Sequence, residues 1–399
     1  MSTVHHGALD YGELAELGVT PEAVIDFSSN CNPWGPPPAV IDALRTLPAA
    51  ALARYPDRHC LALREKLATL HQIDPSWIGV GNGSAEVIWG LARARLKEGD
   101  IAVVIGPTFG EYAAASAACG AQIVMINGYN DPRCSGNGLH LPSVLCRGKP
   151  LHHKKPSEVS SQKIGVNSTQ TRQVLETCWV FPRIIEYVPS EVKIIWLCNP
   201  NNPTGHLWSA DEIAGLRDHY PAATIVIDEA YLPFVPDATA TPPDERTVIL
   251  RSLTKDFGMA GIRLGYLLAS AEQVAQVKAL LPPWSVSATA QAAGLAAMDA
   301  LKWREETLAM VRQASINLRT ALRAQGWRLH EGAVPFFLLH TDNGAALRAK
   351  LLQKGLVVRD CASFGLPEWV RIAPQRPEEN QRLLKALTPP TLSFPACGM

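Results

Sequence analysis

Five short runs dominated by Val, Ile and Leu punctuate the chain: IAVVIGPTFGEY (101–112), VKIIWLCNPNNPTG (192–205), TIVIDEAY (224–231), TVILRSLTK (247–255) and LGYLLAS (264–270). Their apolar residues are nearly continuous rather than alternating, so each strand they form must be covered on both faces. Longer helix-like segments separate the runs and supply that cover. The combination predicts an α/β fold with a mostly parallel central sheet flanked by helices. In such sheets ligands collect beyond the carboxyl ends of the strands. The polar residues of this chain gather there: Asn202 follows one run, Asp228 and Tyr231 close the next, and Ser252 with Lys255 closes a third.

A chain of 399 residues, 47% hydrophobic, is long for one core and suits a large domain plus a smaller one. After about residue 285 the pattern changes to amphipathic helices such as REETLAMVRQASINLRTALRAQG (304–326), followed by short strands in VPFFLLHT (334–341) and GLVVRD (355–360). The expected division is an N-terminal segment, 1–45, packing with the small domain; a large ligand-binding domain, 46–284; and a small α/β domain, 285–399. Residues 131–182 are polar, basic and without periodicity, and a loop of that length is unusual in a compact domain, so an irregular insertion or mobile excursion is expected there.

Lys+Arg and Asp+Glu both number 37, which leaves no bulk field for nucleic acid or an anionic membrane; any anion must be bound locally. No secretory run opens the chain and no uncharged stretch suits a spanning helix, so a cytoplasmic protein is expected. The nine cysteines lack CxxC spacing and read as reduced thiols. The adjacent pairs His5-His6 and His152-His153 diverge in any regular structure, and no metal site is expected.

SLTKDFGMAGIRLGY (252–266) carries the densest chemistry. A lysine at the end of a buried strand is costly unless it has a task, because desolvation disfavours the ammonium; a lowered pKa would leave Lys255 a neutral amine able to form a Schiff base with an aldehyde. Ser252 and Arg263 offer a hydroxyl and a guanidinium fork for a phosphate monoester. GNGSAE (81–86) adds the amides of Gly83, Ser84 and Ala85 at the start of a helix, where a dianion is favoured. Asp228, after a buried run, needs a partner, and a protonated pyridine nitrogen is one that makes its ring an electron sink. Tyr231 and Asn202 can meet a phenolic oxygen on such a ring, and Tyr112 can stack on its face. Singly, each residue has a plain structural reading, as a capped Asp, a core Tyr or a Gly-Ser turn; together they call for pyridoxal phosphate. SLTK also matches the S-x-x-K of serine acylases, but S-D-N and K-T-G are missing.

The ordered set GNGSAE, PTFGEY, CNPNNPTG, DEAY and SLTKDFGMAGIRLGY, spanning residues 81–266, resembles the fold type I pyridoxal-phosphate enzymes of the class I/II aminotransferase family. The resemblance implies that Lys255 binds the coenzyme aldehyde, that Asp228 pairs with the ring nitrogen, that Tyr231 and Asn202 meet the ring hydroxyl and that Tyr112 stacks. Gly83, Ser84, Ala85, Ser252 and Arg263 would hold the phosphate, assisted by Tyr55 of RYPD from a partner subunit, which implies a homodimer. HHGALDYG (5–12), DFSSNCNPWGPP (26–37), PPWSVSATAQAA (282–293) and RDCASFGLPEWVRIAPQRPEEN (359–380) are further similar to the threonine-phosphate decarboxylases of cobalamin biosynthesis, near relatives of histidinol-phosphate aminotransferases. That branch implies a phosphorylated amino acid substrate, with Arg371 on its carboxylate, Arg359, His6 and Gly7 on its phosphate, and Asn32 as a further contact. The implied reaction is decarboxylation of L-threonine O-3-phosphate; the alternative is amino transfer on histidinol phosphate or a related amine. Ala8 stands where the branch usually has a second glycine, and residues 131–182 lengthen the link before the NPNNPTG strand.

Overall fold

The computed structural model describes residues 7–128, the short strand at 145–146 and residues 188–387. His6 and, apart from that short strand, the stretch 131–182 lie outside the described residues. The first strand, β1 (Ile25–Asp26), belongs to the smaller body; β2 (Ile78–Gly81), β3 (Ile101–Gly106), β4 (Gln122–Asn127), β5 (Leu145–Cys146), β6 (Val192–Cys198), β7 (Thr224–Asp228), β8 (Thr247–Ser252) and β9 (Gly265–Leu268) form one sheet. Its order is β2-β9-β8-β7-β6-β3-β4-β5. The pairs from β4 through β8 are parallel, whereas β9 runs antiparallel to both β2 and β8 and β5 antiparallel to β4. All five apolar runs contain a strand, and β2, β4 and β5 complete the sheet.

The period-2 geometry of strands explains the continuous apolar runs. Ile195, Leu197, Ile225, Ile227 and Ile249 enter the core on one face; Ile194, Trp196, Val226, Val248 and Leu250 enter the core on the other. At roughly 1.5–3 kcal/mol for each large side chain buried, these alternating sets hold the sheet between its two helix layers. Because β3 and β6–β8 are parallel, Gly106, Cys198, Asp228 and Ser252 finish at the same edge. Gly265, at the start of the reversed β9, pairs with both Gly81 and Ser252 and so lies on that edge too.

The remaining strands, β10 (Leu329–His330), β11 (Phe337–His340), β12 (Leu356–Val357), β13 (Arg359–Asp360) and β14 (Trp369–Ile372), build the smaller body. Four form an antiparallel sheet of order β10-β11-β14-β13, and β12 pairs in parallel with β1. Phe27, Leu318, Leu322, Phe337, Leu339, Val370 and Ile372 share its core, so the N-terminal segment packs here. That segment is stitched in by Ile25 N to Gly355 O and Phe27 N to Val357 O, both 2.8 Å, and by Ala373 N to Phe27 O at 2.9 Å. The stitching carries Ser28 and Asn30 to the edge of the large sheet.

The cores change hands later than the sequence pattern suggested. The helix Ala288–Met298 contributes Ala290, Ala293 and Ala297 to the large-sheet core, which Val40 of the helix Pro38–Arg45 also joins. ATAQAAGLAAM is small and apolar all round, so it shows no stripe to mark which body it serves; the amphipathic change begins only with the helix Leu301–Ala324. Among the described residues, no helix is long and apolar enough to cross a membrane, and no group of three or more His, Cys, Asp or Glu is arranged to hold a metal ion.

Candidate active site

The common edge gathers Asp228, Lys255, Ser252, Asn202 and the loop 82–84 around one cleft. Asp228 ends β7 and is buried. Its Oδ2 accepts from the Tyr112 hydroxyl at 2.7 Å and its Oδ1 from Ala230 N at 3.0 Å. Burial raises its pKa above the usual carboxylate range, against the Tyr112 and Ala230 hydrogen bonds and the nearby Lys255 and Arg251 cations. The carboxylate is thus held by neutral donors and faces cations only at longer range. A ring N–H⁺ is the partner that would complete it.

Tyr112 is fully buried, its ring stacked on Trp196 at 5.4 Å and edge-on to Phe109 at 5.7 Å. The stacking partner given by this chain is therefore Trp196, and its hydroxyl serves Asp228, a task the sequence did not signal. Ionisation of that hydroxyl is pushed far up by burial and by the Asp228 charge.

Lys255, three residues after the end of β8, is half-buried. Burial works against its charge and Arg371 and Arg263 oppose it, yet the acidic groups of Cys31 and Tyr231 outweigh them and its pKa lies above the ordinary lysine value. The expectation of a lowered pKa is corrected accordingly, since it counted desolvation without the two ionisable neighbours. Tyr231 itself is buried and raised mainly by that burial, with the Lys255 and Arg371 cations pulling the other way.

The helix Gly83–Arg95 has no side-chain cap at its start, which leaves its first amides open for an anion. Gly83 takes φ +77, and a Cβ on it would sit 2.6 Å from Arg263 Nη2. A Cβ on Gly265 would meet Ser84 N at 2.4 Å, so the absence of side chains lets loop and strand close together. Ala85 follows in the first turn. Ser252, buried, shares its hydroxyl with Thr254 at 2.7 Å, while Arg263 is exposed with Nη1 on Ala260 O at 3.1 Å. Uncapped amides, a hydroxyl and a guanidinium fit a phosphate, and Asp228 at the other side of the cleft fits a pyridinium. Tyr55 is 80% exposed and stacked on Trp284 at 4.6 Å.

Arg371 of β14 is buried, and its guanidinium donates to Asn202 Oδ1 and to the Ser28 carbonyl. No acid pairs with it among the described residues. It lies directly across the strand pair from Arg359, whose pKa is lowered by burial and then by the Arg371 charge. Arg359 Nη2 donates to Ser363 Oγ at 2.7 Å and its guanidinium lies over Phe364. Gly7 is packed against both arginines, since a Cβ there would lie 2.8 Å from Arg371 Nη2 and 3.6 Å from Arg359 Cδ.

Asn32 is not available to a ligand. Its Nδ2 donates to Asp256 O at 3.0 Å and Thr307 Oγ1 at 2.8 Å, and its Oδ1 accepts from Trp34 N at 3.1 Å, so its role is structural. Asn30, two residues earlier, is the residue that sequence reasoning missed. It is buried beside the Tyr231 hydroxyl, whose ionisation its amide favours, and among the described residues neither its Oδ1 nor its Nδ2 makes a hydrogen bond of full geometry. A buried amide so loosely partnered has hydrogen-bonding capacity left for a ligand.

A family model described as aminotransferase class I and II matches residues 22–387. The chain belongs to the class I and II aminotransferase family. These enzymes depend on pyridoxal phosphate, in keeping with the fit of the cleft. A histidinol-phosphate aminotransferase from Symbiobacterium thermophilum is 32% identical over 93% of this chain and 91% of its own length. A threonine-phosphate decarboxylase from Salmonella typhimurium is 29% identical over 93% and 92%. The crystal structure of L-threonine-O-3-phosphate decarboxylase from Porphyromonas gingivalis superposes with a TM-score of 0.70 over 90% of this chain and 97% of that one, at 24% identity, which bears on the fold alone.

Proposed function

We propose that this family member decarboxylates L-threonine O-3-phosphate to (R)-1-aminopropan-2-yl phosphate and CO₂. The observation that carries the reading is Arg371, buried with no acid partner among the described residues and set directly across the strand pair from the half-buried Arg359. Two neighbouring cations, of which Arg359 has its proton affinity lowered by burial and by the Arg371 charge, suit a ligand with two anionic groups. A carboxylate on Arg371 and a phosphate on Arg359, with Asn30 and the Gly7 segment as further contacts, would meet both. Likeness to the Salmonella decarboxylase is consistent with such a substrate.

Pyridoxal phosphate, when bound, supplies an aldehyde that takes the substrate amine and a ring that accepts the electron pair left at Cα. Gly83, Ser84, Ala85, Ser252 and Arg263 would hold its phosphate, Asp228 its ring nitrogen, and Tyr231 with Asn202 its hydroxyl. Tyr112 keeps Asp228 oriented and ionised. Lys255, cationic by the direction of its pKa, is the group able to deliver a proton to Cα once CO₂ has left. Arg371 and Arg359 orient the substrate, and orientation chooses which bond at Cα breaks.

Amino transfer on histidinol phosphate is the second reading, favoured by the greater identity to the Symbiobacterium enzyme. Purified protein is incubated with threonine phosphate and no oxo acid, and CO₂ is measured. Release of CO₂ is expected; its absence, together with 2-oxoglutarate-dependent amino transfer from histidinol phosphate, would replace the first reading with the second. Tyr55, exposed and aromatic, is assigned in this reading to the cofactor phosphate of a neighbouring copy, so the working unit is a homodimer; full activity in a sedimenting monomer would rule that out.

A further inference from the structure

We propose that Glu86 is a positioning residue: with Ser285 it forms a clamp that fixes the phosphate-binding loop of its own protomer and, through Trp284, the Tyr55 that the protomer presents outward. The inference rests on the coenzyme reading above and on Tyr55 serving a neighbouring copy.

Glu86 lies in the first turn of the helix Gly83–Arg95. An acid there repels a phosphate bound at the same helix start, so phosphate binding does not account for it. Its bonds do. Oε2 accepts from Asn82 N at 2.7 Å and from Ser285 Oγ at 2.9 Å, and Asn82 Nδ2 returns a bond to Ser285 O at 3.0 Å. Two loops about two hundred positions apart in sequence are tied by the two bonds to Ser285, and the bond to Asn82 N fixes the carboxylate locally. The chain leaves room for the carboxylate, since a Cβ on Gly81 would lie 3.1 Å from Oε2.

The far side of the clamp is a strained turn. Trp284 takes φ +59, a left-handed conformation that is strained for a bulky residue, and it is 42% exposed. Its ring stacks on Tyr55 at 4.6 Å with Arg58 above it at 5.9 Å. A hollow of about 240 Å³, lined by Asp57, His59, Lys278 and Pro283 among others, borders Trp284 and Ser285. Close packing therefore does not hold Trp284 in place. Bonds to an ionised carboxylate are among the stronger ones available to do so. The path Asn82–Glu86–Ser285–Trp284–Tyr55 links the phosphate loop of one protomer to the side chain it lends to the next.

The test is an absorbance titration of the full-length protein with pyridoxal phosphate, giving the dissociation constant for wild type, Glu86→Ala, Glu86→Gln, Tyr55→Phe and the Glu86→Ala/Tyr55→Phe double variant. Glu86→Ala is expected to weaken binding about tenfold, the worth of roughly one charge-assisted hydrogen bond. Glu86→Gln, whose amide oxygen can accept the same two bonds, is expected to stay within about threefold of wild type. The double variant is expected to fall short of the product of its singles by about threefold or more, because both act along one path. Wild-type affinity in Glu86→Ala, or strict additivity in the cycle, overturns the proposal. Should Glu86→Ala fail to fold, Ser285→Ala removes a single bond and is expected to weaken binding several-fold; unchanged affinity there overturns it equally. A wild-type protein that takes up no pyridoxal phosphate would refute the coenzyme reading itself, an outcome distinct from those above.

Discussion

Tyr112→Phe separates the electrostatic task of this residue from its packing. The substitution keeps the ring against Trp196 and deletes only the hydroxyl that donates to Asp228 Oδ2 at 2.7 Å. Burial already places the folded-state pKa of Asp228 above its unfolded value, so folding favours the protonated acid and the ionised form depends on the Tyr112 and Ala230 donors. Without the hydroxyl that pKa rises further. The ionised carboxylate, required well above it, loses a charge-assisted hydrogen bond worth about 1.5–3 kcal/mol, whereas the protonated acid loses an ordinary one worth about 1 kcal/mol. The variant should therefore be about 1.5–3 kcal/mol less stable than wild type at pH 8, and the deficit should shrink as pH falls through the folded pKa. Urea denaturation of the coenzyme-free protein, followed by tryptophan fluorescence at pH 8 and pH 5, measures both deficits. No deficit at pH 8 would show that the bond does not support the ionised form.

Two further substitutions probe the scaffold. His71 bonds to the Tyr266 hydroxyl at 2.9 Å, and burial with the Arg251 and Arg304 charges lowers its pKa from 6.5 to about 4. The neutral ring is favoured by folding, so its contribution is complete above about pH 6.5 and is lost as pH falls toward 4, on the order of 2–3 kcal/mol in all; His71→Gln should flatten stability against pH over that window, and an unchanged slope would clear His71 of the effect. Gly83→Ala forces a residue at φ +77 and drives a Cβ against Arg263, so a loss of roughly 1–2 kcal/mol in thermal stability and weaker pyridoxal phosphate binding are expected, the first by calorimetry and the second by absorbance titration.

Legibility in the sequence followed the distance over which each feature is decided. Asp228, Ser252 and Lys255 could be read because a continuous apolar run announces a buried strand, and the residue closing it must lie at the sheet edge. The strands β2 and β4 were harder, the first because two of its four residues are glycine. Asn30 and Asn32 differ in nothing local. Which one is free depends on Thr307, 275 positions away from Asn32, and on the Tyr231 side of the cleft. The Tyr112 bond to Asp228 spans 116 positions, and the direction of the Lys255 shift depends on Cys31 in the N-terminal segment. Composition and periodicity describe a residue's own element, whereas these properties belong to the space between elements.

Arg371 shows what that space demands energetically. Its guanidinium joins three bodies of structure, bonding Asn202 after β6 and the Ser28 carbonyl of the N-terminal segment from its own place on β14. Burying an ion costs several kcal/mol, and neutral acceptors return only part of this, so the fold carries a deficit that an anion would relieve. A ligand with both anionic groups of threonine phosphate and no amine isolates the effect, because it cannot react with an aldehyde. 3-Hydroxybutyrate O-phosphate is such a compound. At a hundred times its dissociation constant it should stabilise the protein by about 2.7 kcal/mol, read as an upward shift in melting temperature. Arg371→Met, which fills the same space without charge, should start with equal or greater stability than wild type and show no such shift. If the variant responds to the ligand as wild type does, the arginine pair does not bind the substrate's anions, and the case for a doubly anionic substrate fails with it.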